Sequence, residues 1–201
     1  MTSRPRGRPV VVATRNDHKL AELGEILTGL ELRPLPEDVT MPPEDAPTFA
    51  GNALTKARAA YEQTGAAVLA DDSGIEAAAL GGRPGVRSAR YAGANATDAQ
   101  NLELLLNELG EQADRSVAYA CAIAFVAEDG ATLVREGRCE GKLAERPRGD
   151  GGFGYDPAFL PDEVDDGRTM AELSPAEKHR ISHRGRAARA IAEAIEAEVR
   201  A

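Results

Sequence analysis

Two consecutive carboxylates, Asp71 and Asp72, follow a short apolar run and precede Ser73 and Gly74. The run at residues 66–70 predicts a buried strand that ends at the acid pair. Open α/β sheets bind ligands just beyond strand ends. Adjacent acids repel each other and each loses hydration on burial, and Mg²⁺, which prefers hard oxygen ligands, would offset that cost. A solvated acidic turn is the alternative, because Asp-Ser-Gly is also common in turns.

A second polar segment follows a β-branched run at residues 9–14, where a strand is expected to turn into a helix. A helix N-terminus presents free N–H groups and the positive end of the helix dipole, which suits an anion. Lys19 adds a charge that can bind phosphate. The alternative is an ordinary Asn cap with a surface lysine. The candidate substrate contacts here are Thr14, Arg15, Asn16, Asp17, His18 and Lys19.

The glycine-rich segment at 149–157 surrounds Phe153, one of only four Phe residues in the chain. Glycines allow close approach of backbone to a ligand, and an aromatic ring between them is a good platform for a flat base. Asp156 could accept a hydrogen bond from a ring N–H. A mobile loop anchored to the core by its Phe is the alternative. Candidate contacts are Phe153, Gly154, Tyr155 and Asp156.

The segment at 178–186 is strongly basic in a chain whose net charge is −9. Lys178 could meet a phosphate, and His183 and Arg184 could donate hydrogen bonds to a carbonyl oxygen such as the 6-keto group of a purine. The alternative is a solvated basic helix start. Two more acids, Glu44 and Asp45, lie in a proline-rich loop, and either could complete a metal site with Asp72.

Hydrophobic periodicity predicts the elements that position these residues. Caps and breakers set most of the helix boundaries, and Asp129-Gly130 is a hairpin signal. The order implies an α/β fold with a mixed sheet and flanking helices. The expected strands are 9–14, 66–70, 116–126, 132–137 and 141–145, with a loop or irregular edge at 33–47. The expected helices are 20–30, Thr48 to Gly65, Thr97 to Gly110, one beginning at Ser174, and one through 191–199.

Composition limits the classes of function. The chain has 201 residues, with 42% hydrophobic and 28% charged residues, which is typical of a soluble globular protein. An acidic surface argues against a general nucleic-acid binder, and no stretch is long enough for a membrane span. Cys121 and Cys139 lack metal-ligand spacing. We expect a cytoplasmic protein of one domain, residues 1–201, with residues 1–8 a flexible N-terminal extension.

In their order along the chain, these motifs resemble the family of pyrophosphatases that remove inosine and xanthosine triphosphates and their deoxy forms. The resemblance covers nearly the whole chain. It rests on Thr14-Arg15-Asn16 with Lys19, Phe49 with Asn52 and Lys56, Asp71-Asp72-Ser73-Gly74, Gly81-Gly82 with Pro84-Gly85 and Ser88-Ala89-Arg90, Gly151 to Pro157, and Lys178 with Ser182-His183-Arg184-Gly185.

The resemblance implies a two-lobed α/β fold around an elongated mixed sheet, with the active site in the central cleft. It implies hydrolysis to a nucleoside monophosphate and pyrophosphate, with Mg²⁺ as cofactor and a homodimer as the assembly. Asp72 would be the catalytic base and a metal ligand, Glu44 would be a second ligand, and Asp71 is a further candidate ligand. Segment 14–19, Ser73, segment 153–156, Lys178, His183 and Arg184 would contact substrate.

One position departs from the family pattern. The family often has an acid before the Asn of the Phe-x-x-Asn-Ala segment, whereas this chain has Gly51 before Asn52. The assignment of Glu44 over Asp45 is weakened by the same departure. Two other functions remain open: a related pyrophosphatase for modified pyrimidine or methylated nucleotides, and a nucleotide-sensing protein without turnover.

Overall fold

The structure, a computed structural model, describes residues 9–200. The expectation for residues 1–8 therefore lies outside the described residues. Within the described chain, no helix is both long and apolar enough to cross a membrane.

A single six-stranded sheet runs through the fold, in the order β2-β1-β3-β4-β5-β6. β1 is parallel to both β2 and β3, and β5 is antiparallel to β6. The predicted α/β class with a mixed sheet is confirmed. The strands are β1 Val10–Val12, β2 Leu32–Pro34, β3 Val68–Ala77, β4 Ser116–Val126, β5 Thr132–Leu143 and β6 Phe159–Pro161.

Residues 9–200 contain five α-helices, and the predicted caps are confirmed. Thr48 accepts a hydrogen bond from Gly51 N, and the helix it begins ends at Gly65 in the left-handed region, with φ 64°. Thr97 and Ser174 each form a capping box with the residue three positions later. The helices are α1 Asp17–Ile26, α2 Phe49–Thr64, α3 Asp98–Leu109, α4 Pro175–Ile181 and α5 His183–Arg200.

Chain packing divides the protein into two compact units. Among the described residues, unit 1 contains 9–72, 122–136 and 187–200. Unit 2 contains residues 73–121 and 137–186, and its core is built around Leu105, Tyr119 and Phe159. Cys121 and Cys139 are both buried thiols.

Three expectations about the strands are wrong. β3 does not end at Asp71: its pairing with β1 stops at Leu69, but the strand, which neighbours β4 in the sheet, continues to Ala77, so both acids lie inside it. β2 is the edge strand and lies at the start of the 33–47 segment, which was expected to be a loop or an irregular edge. β5 is one strand, which unites the two predicted at 132–137 and 141–145, and β6 was not predicted. β2 and β6 have three residues each, so pairing with their neighbours rather than local periodicity defines them.

The third residue of α5 must be glycine. A Cβ on Gly185 would lie 2.0 Å from the carbonyl oxygen of His179, a backbone atom that cannot swing aside. Gly24, inside α1, has no neighbour within 4 Å of the same position. Gly24 is therefore a matched control for Gly185, since both lie in helices but only Gly185 has a backbone atom against its Cα.

We expect Gly185→Ala to lower the free energy of unfolding by about 2–3 kcal/mol, the usual cost of overpacking. Gly24→Ala should raise it by up to about 1 kcal/mol, because alanine is the better helix former. Urea denaturation measures both. Equal effects of the two substitutions would contradict the tight contact between α4 and α5.

Candidate active site

Unit 1 contains a group of charged and polar side chains that we call the acid cluster. Three carboxylates meet two lysines and one amide there. β3 supplies the acid pair, α1 one lysine, α2 the other lysine and the amide, and the loop before α2 the third acid. The members are Lys19, Glu44, Asn52, Lys56, Asp71 and Asp72.

The two acids of β3 have different partners. Asp71, fully buried, lies 3.1 Å from the ammonium of Lys19. Asp72, 5% exposed, accepts a hydrogen bond of 2.9 Å from Nδ2 of Asn52 and lies 3.9 Å from the ammonium of Lys56. Lys56 also donates to Glu44 at 2.5 Å. The Lys56 ammonium thus lies between Glu44 and Asp72.

The electrostatics of this cluster favour a proton acceptor at Asp72. Burial raises the pKa of Asp72 above its ordinary value, although Lys56 and the Asn52 hydrogen bond oppose the rise. Burial would lower the pKa of Lys56, but Asp71, Glu44 and Asp72 together raise it. Lys56 therefore stays charged, while Asp72 holds a proton more readily than an exposed aspartate.

Glu44, rather than Asp45, belongs to the cluster. Glu44 is half-buried against Lys56, whereas Asp45 is exposed. The loop that carries both acids is held by Asn52, whose Oδ1 accepts from Ala46 N at 2.9 Å. A Cβ on Gly51 would lie 2.9 Å from Cβ of Ala46, so this loop lies close against the first turn of α2.

The donor set of the acid cluster fits a divalent cation. Carboxylate oxygens are the ligands that Mg²⁺ prefers, and Glu44 and Asp72 already share one cationic partner, Lys56. Across residues 9–200, no three His, Cys, Asp or Glu side chains stand ready arranged around a metal position. A bound cation would therefore compete with Lys56 for these oxygens.

The segment at 14–19 divides into local and longer-range contacts. Thr14 accepts from Asn16 N, and Asn16 caps α1 by accepting from Lys19 N, both at 3.1 Å. Arg15 donates to four carbonyl oxygens of residues 35–39. Asp17 and His18 are exposed in the first turn of α1. Lys19 is thus the member that the structure brings to the acid pair.

Unit 2 contains a second group, which we call the basic cluster. It combines one buried carboxylate with two cations, an imidazole, a serine hydroxyl and two aromatic rings. The glycine-rich segment, the start of α5, α4 and two central strands supply them. The members are Ser73, Tyr119, Phe153, Asp156, Lys178, His183 and Arg184.

Asp156 is the centre of the basic cluster. Its Oδ2 accepts from Nζ of Lys178 at 2.6 Å and from the backbone N–H of Phe153 at 2.9 Å. Its Oδ1 accepts from the hydroxyl of Tyr119 at 3.0 Å. A Cβ on Gly152 would lie 2.2 Å from Oδ2, so glycine is needed for this close approach. Asp156 thus holds the Phe153 turn and Lys178 together.

Two cations lie against the Phe153 ring. Nζ of Lys178 is 4.9 Å from the ring centroid and Cζ of Arg184 is 5.5 Å from it. Arg184 also donates to Oγ of Ser73 at 2.9 Å. A ring beside two cations and at the edge of a buried polar group is a suitable platform for a flat, electron-rich base.

The solvated basic helix start considered for 178–186 is wrong. Lys178, His183 and Arg184 are all buried, the last of them 2% exposed. The other members of the glycine-rich segment have structural partners. Gly154 N donates to Asp98, and the buried Tyr155 hydroxyl donates to the carbonyl of Ser88. Their proposed substrate contacts stay predictions.

Three residues of these clusters were not among the predicted site residues. Asn52 and Lys56 stand one helical turn apart on the buried, alanine-rich face of α2, and two polar residues on such a face were the available signal. Tyr119 lies in an apolar strand with nothing local to distinguish it. Its partners are far away in the sequence.

The chain belongs to the Ham1 family, whose sequence profile matches residues 10–194. It is similar to a protein from Mycolicibacterium paratuberculosis named dITP/XTP pyrophosphatase, with 50% identity and coverage of 96% of this chain and 98% of the relative. The resemblance drawn from the ordered motifs is thereby confirmed.

Solved structures agree with this assignment. A HAM1 protein from Coxiella burnetii has a TM-score of 0.84 and 44% identity, covering 94% of this chain and 98% of its own. The Ham1 protein of Staphylococcus aureus has a TM-score of 0.84 and 38% identity, covering 95% and 100%.

We expect Lys56→Met to destabilise the protein on the order of 3 kcal/mol near pH 8, because it leaves buried carboxylates without their cation. Lys56 lowers the pKa of Asp72, so its removal raises that pKa further. The deficit should therefore shrink as the pH falls and Asp72 takes up a proton. Urea denaturation at pH 5 and pH 8 measures it.

The matched control is Lys142→Met, at an exposed position of β5. It should stay within about 0.5 kcal/mol of the parent at both pH values. A Lys56→Met deficit that is the same at both pH values would contradict charge compensation of the acid pair.

Proposed function

We propose that this protein hydrolyses noncanonical purine nucleoside triphosphates, those of inosine and xanthosine and their deoxy forms, to the nucleoside monophosphate and pyrophosphate. The dITP/XTP pyrophosphatase named above, half identical over nearly the full length of both chains, supports this substrate class. The reaction would remove these nucleotides from the cellular pool.

The observation that carries the proposal is the composition of the two clusters. The acid cluster combines carboxylates with Lys19 and Lys56, which suits a metal and a polyphosphate. The basic cluster combines the Phe153 ring with buried hydrogen-bond donors, which suits a base. Asp72 and Ser73 are consecutive residues of β3.

In the proposed mechanism, Asp72 positions a water molecule and accepts its proton. The water oxygen forms a bond to the α-phosphorus, and the bond to the bridging oxygen breaks, so that pyrophosphate leaves. Asn52 holds the Asp72 carboxylate in place. The ammonium groups of Lys19, Lys56 and Lys178 stabilise negative charge on the phosphates and the leaving pyrophosphate.

We further propose that Mg²⁺ is the cofactor, with Asp72 and Glu44 as ligands and Asp71 holding Lys19. When bound, the ion would neutralise triphosphate charge and lower the pKa of a coordinated water. The protein is proposed to act in the cytoplasm as a homodimer. These finer assignments rest on the family and on the donor set described above.

Base selection is assigned to the basic cluster. His183 and Arg184 would donate hydrogen bonds to the 6-keto oxygen of the purine. The amino group of adenine cannot accept them, so buried donors would be left unpaired, which discriminates strongly. Phe153 would stack on the base.

The first test concerns the base. Asp72→Asn should lower kcat by about 10²–10⁴-fold, because it removes the proton acceptor, while the far-ultraviolet circular dichroism stays that of the parent. Release of pyrophosphate from inosine triphosphate measures kcat, with and without Mg²⁺ after chelation. A parental kcat in Asp72→Asn would contradict the role of Asp72 as the base. Full turnover of the parent protein in excess chelator would contradict the role of the metal.

The second test concerns the purine. Arg184→Ala should lower kcat/KM for inosine triphosphate by roughly ten- to a hundredfold, the value of a hydrogen bond from a charged donor. The value of kcat/KM for adenosine triphosphate should fall far less, so the preference for inosine over adenosine triphosphate becomes smaller. Lys19→Ala should lower kcat/KM equally for both substrates, because Lys19 acts on the phosphates that they share. An equal loss of both substrates in Arg184→Ala would contradict its role in selectivity.

A further inference from the structure

Tyr119 contacts two members of the basic cluster, Asp156 through its hydroxyl and His183 through its ring. It lies in β4, is 6% exposed, and belongs to the core of unit 2. Its hydroxyl and its ring face make two separate contacts. A core position alone would be satisfied by phenylalanine, so the hydroxyl needs another explanation.

The hydroxyl of Tyr119 fixes the carboxylate of Asp156. It donates to Oδ1 at 3.0 Å, while Oδ2 accepts from Lys178 and from the N–H of Phe153. With both oxygens engaged, the carboxylate cannot rotate freely, so Lys178 and the Phe153 turn keep their places. Burial and the adjacent Asp156 hold the pKa of Tyr119 well above its ordinary value, so the hydroxyl remains a donor.

The ring of Tyr119 fixes the plane of His183. The two rings are stacked, with centroids 4.4 Å apart and planes 11° apart. The Tyr119 ring also packs against Phe159, with ring centroids 4.5 Å apart and an angle of 40° between the ring planes. Phe159 is fully buried in the close-packed core, so it restricts movement of the Tyr119 ring. The orientation in which His183 presents its N–H groups is therefore set by Tyr119.

We infer that Tyr119 is a positioning residue for purine selectivity, which orients His183 by its ring and the Asp156–Lys178 pair by its hydroxyl. This inference rests on the proposed function, in which His183 and the Phe153 platform bind the base. In this proposal Tyr119 acts through His183 and Asp156. By holding these side chains in fixed orientations, Tyr119 gives the basic cluster a hydrogen-bonding pattern that is complementary to a keto-purine.

Two variants separate the two contacts. Tyr119→Phe keeps the ring and removes only the hydroxyl, whereas Tyr119→Leu removes both. The readout is the ratio of kcat/KM for inosine triphosphate to that for adenosine triphosphate on one preparation. This ratio does not depend on the fraction of folded enzyme, so a purely structural role leaves it unchanged.

We expect Tyr119→Phe to lower the ratio by roughly tenfold, through a higher KM for inosine triphosphate. The substitution loosens the carboxylate of Asp156, the acceptor expected for a ring N–H that the base of inosine has and adenine lacks. Tyr119→Leu should lower it further, by up to about a hundredfold, because His183 is also misplaced. Tyr61→Phe is the matched control. Its hydroxyl donates to the Glu128 carbonyl in unit 1, so the ratio should stay that of the parent.

An unchanged ratio in Tyr119→Phe, with or without a lower melting temperature, would overturn the inference, as would equal ratios in the Phe and Leu variants. If Tyr119→Leu does not fold, Tyr119→Phe still decides the hydroxyl contact. Calorimetric Kd values for inosine and adenosine monophosphates give the same ratio without turnover. If the parent protein binds inosine monophosphate more tightly than adenosine monophosphate but releases no pyrophosphate, the proposed function is contradicted. The ratio of Kd values in the Tyr119 variants would then still test the role of Tyr119.

Discussion

The burial of two consecutive carboxylates inside β3 is the constraint on which the rest of the site depends. Asp71 and Asp72 are at most 5% exposed, and an uncompensated buried charge is too costly for a folded protein. Lys19 from α1 and Lys56 from α2 supply the compensation. Both helices therefore contribute a cation to the site, and Asn52 of α2 holds the loop that carries Glu44. Stability and chemistry use the same side chains here, since the cations that permit burial are also those suited to phosphates.

Unit 2 also contains buried charges that need compensation, but here the excess charge is positive. Lys178 and Arg184 are buried cations, and they are compensated by the Asp156 carboxylate and by the face of Phe153. Two buried cations beside one buried carboxylate make a region that attracts electron-rich groups, such as a carbonyl oxygen. Asp156 accepts hydrogen bonds from Lys178, from the Tyr119 hydroxyl and from the backbone N–H of Phe153. The shape and the charge of this region are therefore fixed together.

Sequence rules predicted what depends on near neighbours. The caps at Thr48, Thr97 and Ser174 are each satisfied within three residues, and each is present. The residue types of both clusters were also recognisable. The features that were missed depend on partners distant in the sequence. β3 continues through Asp71 because Lys19 and Lys56 neutralise the acids. The basic segment is buried because Asp156 and Tyr119 contact its side chains. Tyr119 gave no local signal at all, since its hydroxyl partner is 37 residues away.

The position of the attacking water tests the central claim most directly, because Asp72 is assigned a proton from a water that reacts at the α-phosphorus. Hydrolysis of inosine triphosphate in ¹⁸O-labelled water, followed by mass spectrometry of both products, reads that position. The account predicts one labelled oxygen in inosine monophosphate and none in pyrophosphate. Label in the pyrophosphate, or release of orthophosphate and inosine diphosphate, would contradict it.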